Sequence, residues 1–272
     1  MRPRSVRLAM AGLLAAGCLG LAAACGVEDN GGSSNELTAS CKADVAIDEG
    51  YSKLFSRTPA LQSSKPLAKA QLAKFQASYD KFVAGPLANA EKNSPEDIAG
   101  DIEKVVTGSR KFRATGDSSQ LDSPGLMAAV GALDTYYYDN CDDEKTEVKA
   151  REYAFEGLES SYSPGLRRFK LENTGKEVHE MSILRRKPGV TESFDQLLEL
   201  PEEEAESKVD FFFVGGADRA DPGLTSHGSA ADLTPGDYIA VCFISKGTTS
   251  LKKEGNGPPH FTLGQKKEFK VE

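Results

Sequence analysis

The sequence lacks several features that would mark common functions. It has no run of lysine and arginine beyond its N-terminus, and its formal net charge is −8. Binding to nucleic acid needs a positive field, so nucleic acid is not an expected partner. There is no phosphate-binding loop, no CxxC pair of the kind that holds zinc and no nucleophile elbow. We therefore predict that the protein is not an enzyme.

Long apolar runs are also scarce, and one of them follows the basic N-terminal segment "MRPRSVR". Together they predict an export signal over residues 1–24. Cys25 follows three alanines and resembles the lipobox cysteine of bacterial lipoproteins, which carries lipid. That resemblance implies an exported protein, anchored by its lipid to the outer face of the cell membrane. Three alternatives stay open: lipidation at Cys18, an ordinary signal peptide and an uncleaved anchor helix.

The next part of the chain changes from a polar segment to a helical pattern. Residues 25–40 are rich in Gly and Ser, which predicts a flexible tether. Apolar residues then recur at intervals of three and four, which predicts about four helices in an antiparallel bundle over residues 41–141. The first helix is expected near 42–56. The acidic residues of this segment are expected on exposed faces.

Two cysteines bracket the helical segment. Disulfides persist in the oxidising compartments that exported proteins reach, so we predict a disulfide between Cys41 and Cys141. Two free, buried thiols are the alternative. With Cys25 lipidated, Cys242 is then left unpaired or bound to another group.

The pattern changes again after the acidic segment "DDEKTE". Short runs rich in β-branched and aromatic residues alternate with Gly/Pro turns, which predicts a β-sandwich or barrel over residues 148–272. Residues 191–208 interrupt these runs with a helical pattern. The predicted fold class is therefore α+β.

All three histidines lie in this predicted β domain, together with Cys242. A thiolate, two imidazoles and a weak axial ligand form a blue-copper site. Ordinary roles stay open for each residue taken alone. Cys242 suits a small core position, His179 a hydrogen bond to a loop, His260 an exposed surface, and His227 either an exposed loop or a substitute ligand.

Three segments of the β domain resemble the cupredoxin family: "FKLENTGKEVHEMSIL", "LTPGDYIAVCFI" and "PPHFTLGQKKEFKV". The resemblance implies a Greek-key sandwich and a copper site. His179, Cys242 and His260 would be the equatorial ligands, with Gln265 as the axial ligand where the family usually has Met. The chain departs from the family in one respect, because seventeen residues separate Cys242 from His260.

The resemblance implies copper binding for electron transfer or copper handling, with a redox or envelope protein as partner. Two alternatives stay open. One is a metal-free binding or structural module of the envelope, whose sandwich presents loops to a partner. The other is thiol chemistry at Cys242.

Overall fold

The computed structural model describes most of the chain except the N-terminal segment and a few short stretches. The predicted signal over residues 1–24 and the lipidation site at Cys25 lie outside the described residues. No helix in the described part of the chain is long and apolar enough to cross a membrane. The described residues are 31–58, 61, 67–210, 215–228, 230–250 and 252–272.

Helices make up the N-terminal part and pack around one apolar core that includes Phe55, Phe75 and Phe112. Ser123 precedes Pro124 at the start of the last of these helices, as expected for proline in a first helical turn. Their antiparallel arrangement stays a prediction. The five helices are α1 (Gly31–Ser56), α2 (Lys69–Phe82), α3 (Ala84–Lys92), α4 (Ala99–Thr115) and α5 (Pro124–Asn140), with 3₁₀ segments at Glu96–Ile98 and Ser118–Asp122.

The start of α1 corrects the predicted tether. Residues 31–40 are helical, whereas the sequence pattern predicted a flexible segment over 25–40. Ser40 is fully buried, and its hydroxyl lies 2.9 Å from the Tyr137 hydroxyl in α5. The adjacent Cys41 is joined to Cys141 by the predicted disulfide. Packing on α5 therefore holds the end of this segment in a helix despite its composition.

The C-terminal part contains strands and two short helices, which confirms the α+β class. The first sheet has the order β2-β1-β4-β8, with β9 also paired to β4. The second has the order β3-β11-β10-β5-β6, with β7 also paired to β5. The elements are β1 (Glu144–Arg151), β2 (Ala154–Glu156), β3 (Ser161–Tyr162), β4 (Gly165–Asn173), β5 (His179–Arg186), α6 (Phe194–Glu199), α7 (Glu202–Lys208), β6 (Val209–Asp210), β7 (Gly216–Ala220), β8 (Thr225–His227), β9 (Ala231–Leu233), β10 (Gly236–Val241) and β11 (Lys266–Val271).

The two sheets form a sandwich with a shared apolar core. Alternation along β1 buries Val148 and Ala150 and exposes their neighbours, as expected for a strand with one solvated face. The other side of the second sheet packs on α6 through Phe194 and Leu197. The predicted helical interruption is therefore a cover for this sheet. The core between the sheets includes Val148, Phe169, Leu171, Met181, Ile183, Tyr238 and Phe269.

A buried arginine side chain joins the helices to the sandwich. Arg168, in β4, has a fully buried side chain. Its Nη1 lies 2.8 Å from Asp44 Oδ2 in α1, and its Nε donates to Asp143 Oδ2 at 2.7 Å. The guanidinium also lies 5.5 Å from the centre of the Tyr137 ring. One residue of the sheet thus contacts both the first and the last helix region.

The prediction that the acids of the helical segment are exposed is wrong at this interface. Asp134 is buried, and burial raises its pKa well above the usual value, with the charges of Asp218 and Asp44 acting in the same direction. Helical periodicity located the apolar face that forms the core of the helices. It did not show that α1 and α5 also present a face to the sandwich.

His227 lies at the same interface. Its ring centre is 5.0 Å from that of Tyr138, and its Nδ1 is 3.1 Å from the Thr135 hydroxyl. The histidine is therefore not an exposed loop residue, and among the described residues it is not in the group that brings His179 and His260 together. Its contacts are those of a residue packed between α5 and β8.

Candidate metal centre

Cys242 directly follows β10, at the end of the second sheet. Its backbone N–H donates to the Gln265 carbonyl at 3.2 Å, and its carbonyl accepts from Phe261 N at 3.0 Å. A further bond joins His260 N to the Ile244 carbonyl at 2.8 Å. These bonds continue the pairing of β10 with β11 beyond the strands and hold the cysteine and histidine segments side by side.

The long separation between Cys242 and His260 is taken up by a closed loop. Ser245 and Pro259 form a bridge, and the Lys246 N–H donates to the Pro258 carbonyl at 2.9 Å while the Lys246 carbonyl accepts from Gly257 N at 3.1 Å. The chain therefore leaves the site after Ile244 and returns to it at His260. Chain separation says little about spatial separation when the stem of a loop is paired in this way.

Three predicted ligands meet at this end of the sandwich. A ligand atom from each of His179, Cys242 and His260 lies within 4.8 Å of the others. The Cys242 sulfur is 3.4 Å from His260 Nδ1, and the two imidazole ring centres are 5.0 Å apart. All three side chains are fully buried. The chain therefore has a His–Cys–His site that could hold a metal ion.

His179 is the first residue of β5, and the pairing of β5 with β7 shifts register between His179 and Met181. Burial lowers its pKa, and the neighbouring His260 lowers it further, so a neutral imidazole with a free lone pair is favoured. Gly175 lies against the ring: a Cβ there would approach His179 Nε2 to 2.8 Å. Glycine at this position thus lets the turn before β5 pass close to the histidine.

Gln265 lies next to these residues and is fully buried. Its Oε1 has no hydrogen-bond partner in the described part of the chain, whereas its Nε2 makes a long contact of 3.4 Å with the Ala154 carbonyl. Its side chain lies close enough to His179 to oppose the lowering of that histidine's pKa, although burial outweighs it. A buried amide oxygen without a partner is costly. Binding of a cation would satisfy it.

The burial of Cys242 argues against the thiol-chemistry alternative. Burial raises the pKa of the thiol far above its usual value, and the charge of Glu180 raises it further. A reactive cysteine needs a partly exposed thiolate in a positive environment, which Cys242 does not have. A metal ion can displace the thiol proton, so the same burial is compatible with a ligand role.

Two carboxylates that the sequence analysis missed contact the histidines. Glu177 Oε2 lies 2.9 Å from His260 Nε2, and Glu152 Oε1 lies 3.8 Å from His179 Nε2. Burial raises the pKa of Glu152, but hydrogen bonds from the backbone of Lys176 and Glu177 outweigh it, so that the pKa is lowered. The only sequence features that could have pointed to Glu177 were its carboxylate and its position two residues before His179.

The donor set determines which metals fit. A thiolate, two imidazoles and an amide oxygen combine one soft ligand, two intermediate ligands and one hard ligand. Copper and zinc both accept thiolate and imidazole, whereas magnesium and calcium prefer oxygen ligands. The site therefore fits a transition metal.

No protein-family model and no curated protein matches the sequence. Solved structures similar to part of the chain include the cupredoxins auracyanin and rusticyanin, at low sequence identity. Reduced auracyanin from Roseiflexus castenholzii has 16% sequence identity and a TM-score of 0.30, with 47% of this chain and 96% of that chain covered. Auracyanin A, a "blue" copper protein from Chloroflexus aurantiacus, has 14% identity and a TM-score of 0.31, with 47% and 98% covered. Rusticyanin from Thiobacillus ferrooxidans has 17% identity and a TM-score of 0.28, with 47% and 78% covered.

Proposed function

We propose that the protein binds copper at His179, Cys242 and His260, with the Gln265 amide oxygen as a weaker fourth ligand, for electron transfer or copper handling. The observation that carries the proposal is the convergence of one thiol and two imidazoles within 4.8 Å in a fully buried site. The residue types match a blue-copper donor set.

Each residue has a distinct part in this function. Cys242 supplies the soft ligand, which suits both redox states of copper. The imidazoles of His179 and His260 supply lone pairs, and all four side chains are fully buried. Copper in such a site would carry one electron between its two oxidation states. The protein is then an electron carrier or copper carrier and not an enzyme.

The cellular setting belongs to the same proposal. A lipid on Cys25 would hold the protein on the outer face of the cell membrane, where a redox or envelope protein could reach it. The disulfide between Cys41 and Cys141 supports an oxidising compartment, because disulfides are rare in reducing ones.

Copper titration of the full chain, purified in detergent, tests the proposal. We expect one equivalent of Cu(II) to give an intense thiolate-to-copper band in the visible range and to raise the unfolding temperature. Cys242→Ser should abolish the band. His227→Gln, which changes the histidine outside the site, should leave it intact. If wild-type protein shows neither the band nor stabilisation, the proposal is wrong and a metal-free envelope module is the better account.

Replacing Gln265 by methionine tests the fourth ligand. A thioether is a softer ligand than an amide oxygen and therefore favours Cu(I) over Cu(II), so Gln265→Met should raise the reduction potential. The potential is measured by redox titration of the visible band, with His227→Gln as the unchanged control. Equal potentials in wild type and Gln265→Met would remove Gln265 from the ligand set.

A further inference from the structure

The carboxylate of Glu177 joins three parts of the candidate metal centre. Oε2 lies 2.9 Å from His260 Nε2 and accepts from the backbone N–H of Gly247 at 2.7 Å. Oε1 lies 3.5 Å from the Tyr153 hydroxyl, and the Tyr153 ring centre is 5.1 Å from that of His260. The Glu177 side chain is only 15% exposed. One largely buried carboxylate therefore contacts a ligand, the loop after Cys242 and an aromatic ring that packs against the ligand.

The first consequence concerns the tautomer of His260. A carboxylate can only accept hydrogen bonds, so a neutral His260 must carry its proton on Nε2 to bond Glu177. Nδ1 is then left with the free lone pair, and Nδ1 is the atom 3.4 Å from the Cys242 sulfur. Glu177 thus selects the ring nitrogen that faces the other ligands.

The second consequence concerns the loop after Cys242, at Gly247 and Thr248. Gly247 has a φ of +89°, a left-handed backbone conformation that glycine adopts without strain. In this conformation its N–H reaches the same carboxylate as His260. The neighbouring Val178 N donates to the Thr248 carbonyl at 2.7 Å. The turn before β5 therefore fixes the loop against the site at two adjacent positions.

We infer that Glu177 is a positioning residue that fixes His260 for metal binding and holds the loop after Cys242 beside the site at Gly247. Its role for copper rests on the proposed function, whereas its role in the tautomer and the loop exists without metal. Carboxylates that hydrogen-bond a ligand histidine orient the ring, increase its basicity and strengthen metal binding. A fastened loop also slows metal release, because all four ligand side chains are fully buried.

The variants Glu177→Ala and Glu177→Gln separate contact from charge. Glu177→Ala removes both and should weaken copper binding by about 10–100-fold, measured by competition with a chelator. It should also speed copper release. Glu177→Gln keeps an oxygen that can accept from His260 but loses the charge that favours Cu(II), so its reduction potential should rise. Glu172→Gln, which removes one acid from an exposed ion pair with Lys149, is the charge-matched control and should match wild type.

The metal-free protein provides the independent readout. Nitrogen-15 spectra should show His260 protonated on Nε2 in wild type and in Glu177→Gln, and should show mixed tautomers in Glu177→Ala. The Gly247 amide should exchange slowly in wild type and at least tenfold faster in Glu177→Ala. A wild-type His260 protonated on Nδ1, or a Gly247 amide unaffected by Glu177→Ala, would overturn the inference whether or not copper binds.

Absence of copper binding by wild type would instead overturn the proposed function, and the copper role of Glu177 with it. The copper role would also be refuted if Glu177→Ala bound copper within twofold of the wild-type affinity and had the wild-type reduction potential within error.

Discussion

Replacing Arg168 by alanine is expected to lower the free energy of unfolding by about 3–5 kcal/mol, the usual cost of breaking a buried ion pair from one side. The guanidinium is fully buried, while the side chains of Asp44 and Asp143 are each 13% exposed. Without Arg168 these carboxylates stay in the interface and lose the cation that pairs with both of them. Urea denaturation of wild type and variant measures the loss.

The loss should depend on pH through Asp44. Burial raises the pKa of Asp44 and the charge of Arg168 opposes this, so removing Arg168 should raise the pKa further. A carboxyl whose folded-state pKa is raised binds its proton more tightly in the folded protein, and stability then falls as pH rises through that range. The deficit of Arg168→Ala should therefore be larger at pH 8 than at pH 5.

Two variants complete the test of the buried cluster. Combining Arg168→Met with Asp44→Asn and Asp143→Asn removes all three charges and should recover much of the stability, because the unpaired charges cause most of the loss. Lys149→Ala breaks an exposed pair with Glu172 and should cost at most about 1 kcal/mol. If Arg168→Ala costs no more than Lys149→Ala, Arg168 does not stabilise the junction of helices and sandwich.

The sequence was most informative where the signal is local. Apolar spacing predicted the helical segment and the strands because a helix or a half-buried strand repeats its burial over a few residues. The helical interruption over residues 191–208 was foreseen in the same way, and the structure divides it into α6 and α7, the first capped by Ser193. Local composition misled for residues 31–40, because the contact that Ser40 makes with α5 comes from Tyr137, about 100 positions later.

For the metal centre, residue type could be predicted but proximity could not. Cysteine and histidine are rare enough here for His179, Cys242 and His260 to stand out. Their convergence depends on the paired stem of the loop between Ile244 and His260, which spacing does not show. Glu177 is one of many acidic residues in the chain, and only its position beside His260 distinguishes it.

Arg168 shows the same limit at the interface. It follows Arg167 in a strand pattern, and alternation alone places the two residues on opposite faces. Because the first sheet packs on helices as well as on the second sheet, a charged residue can point away from the sandwich core and still be buried. A partner in α1 that balances the charge made this placement possible, and no local pattern reports such a partner.

Removing the disulfide by Cys41→Ala with Cys141→Ala should lower the free energy of unfolding by about 4–5 kcal/mol, since the closed loop is about 100 residues long. The bond restricts the unfolded chain, and it also keeps the start of α1 next to the end of α5, where Ser40 contacts Tyr137. Urea denaturation with and without reductant measures the effect. Reductant should destabilise wild type by a similar amount and leave the stability of the double variant unchanged.

The candidate metal centre, which is built from residues of the sandwich, should keep its copper band in the folded double variant. Equal stability of wild type and double variant would show that helix packing alone holds these ends together, and loss of the band in folded double variant would show that the helices shape the site.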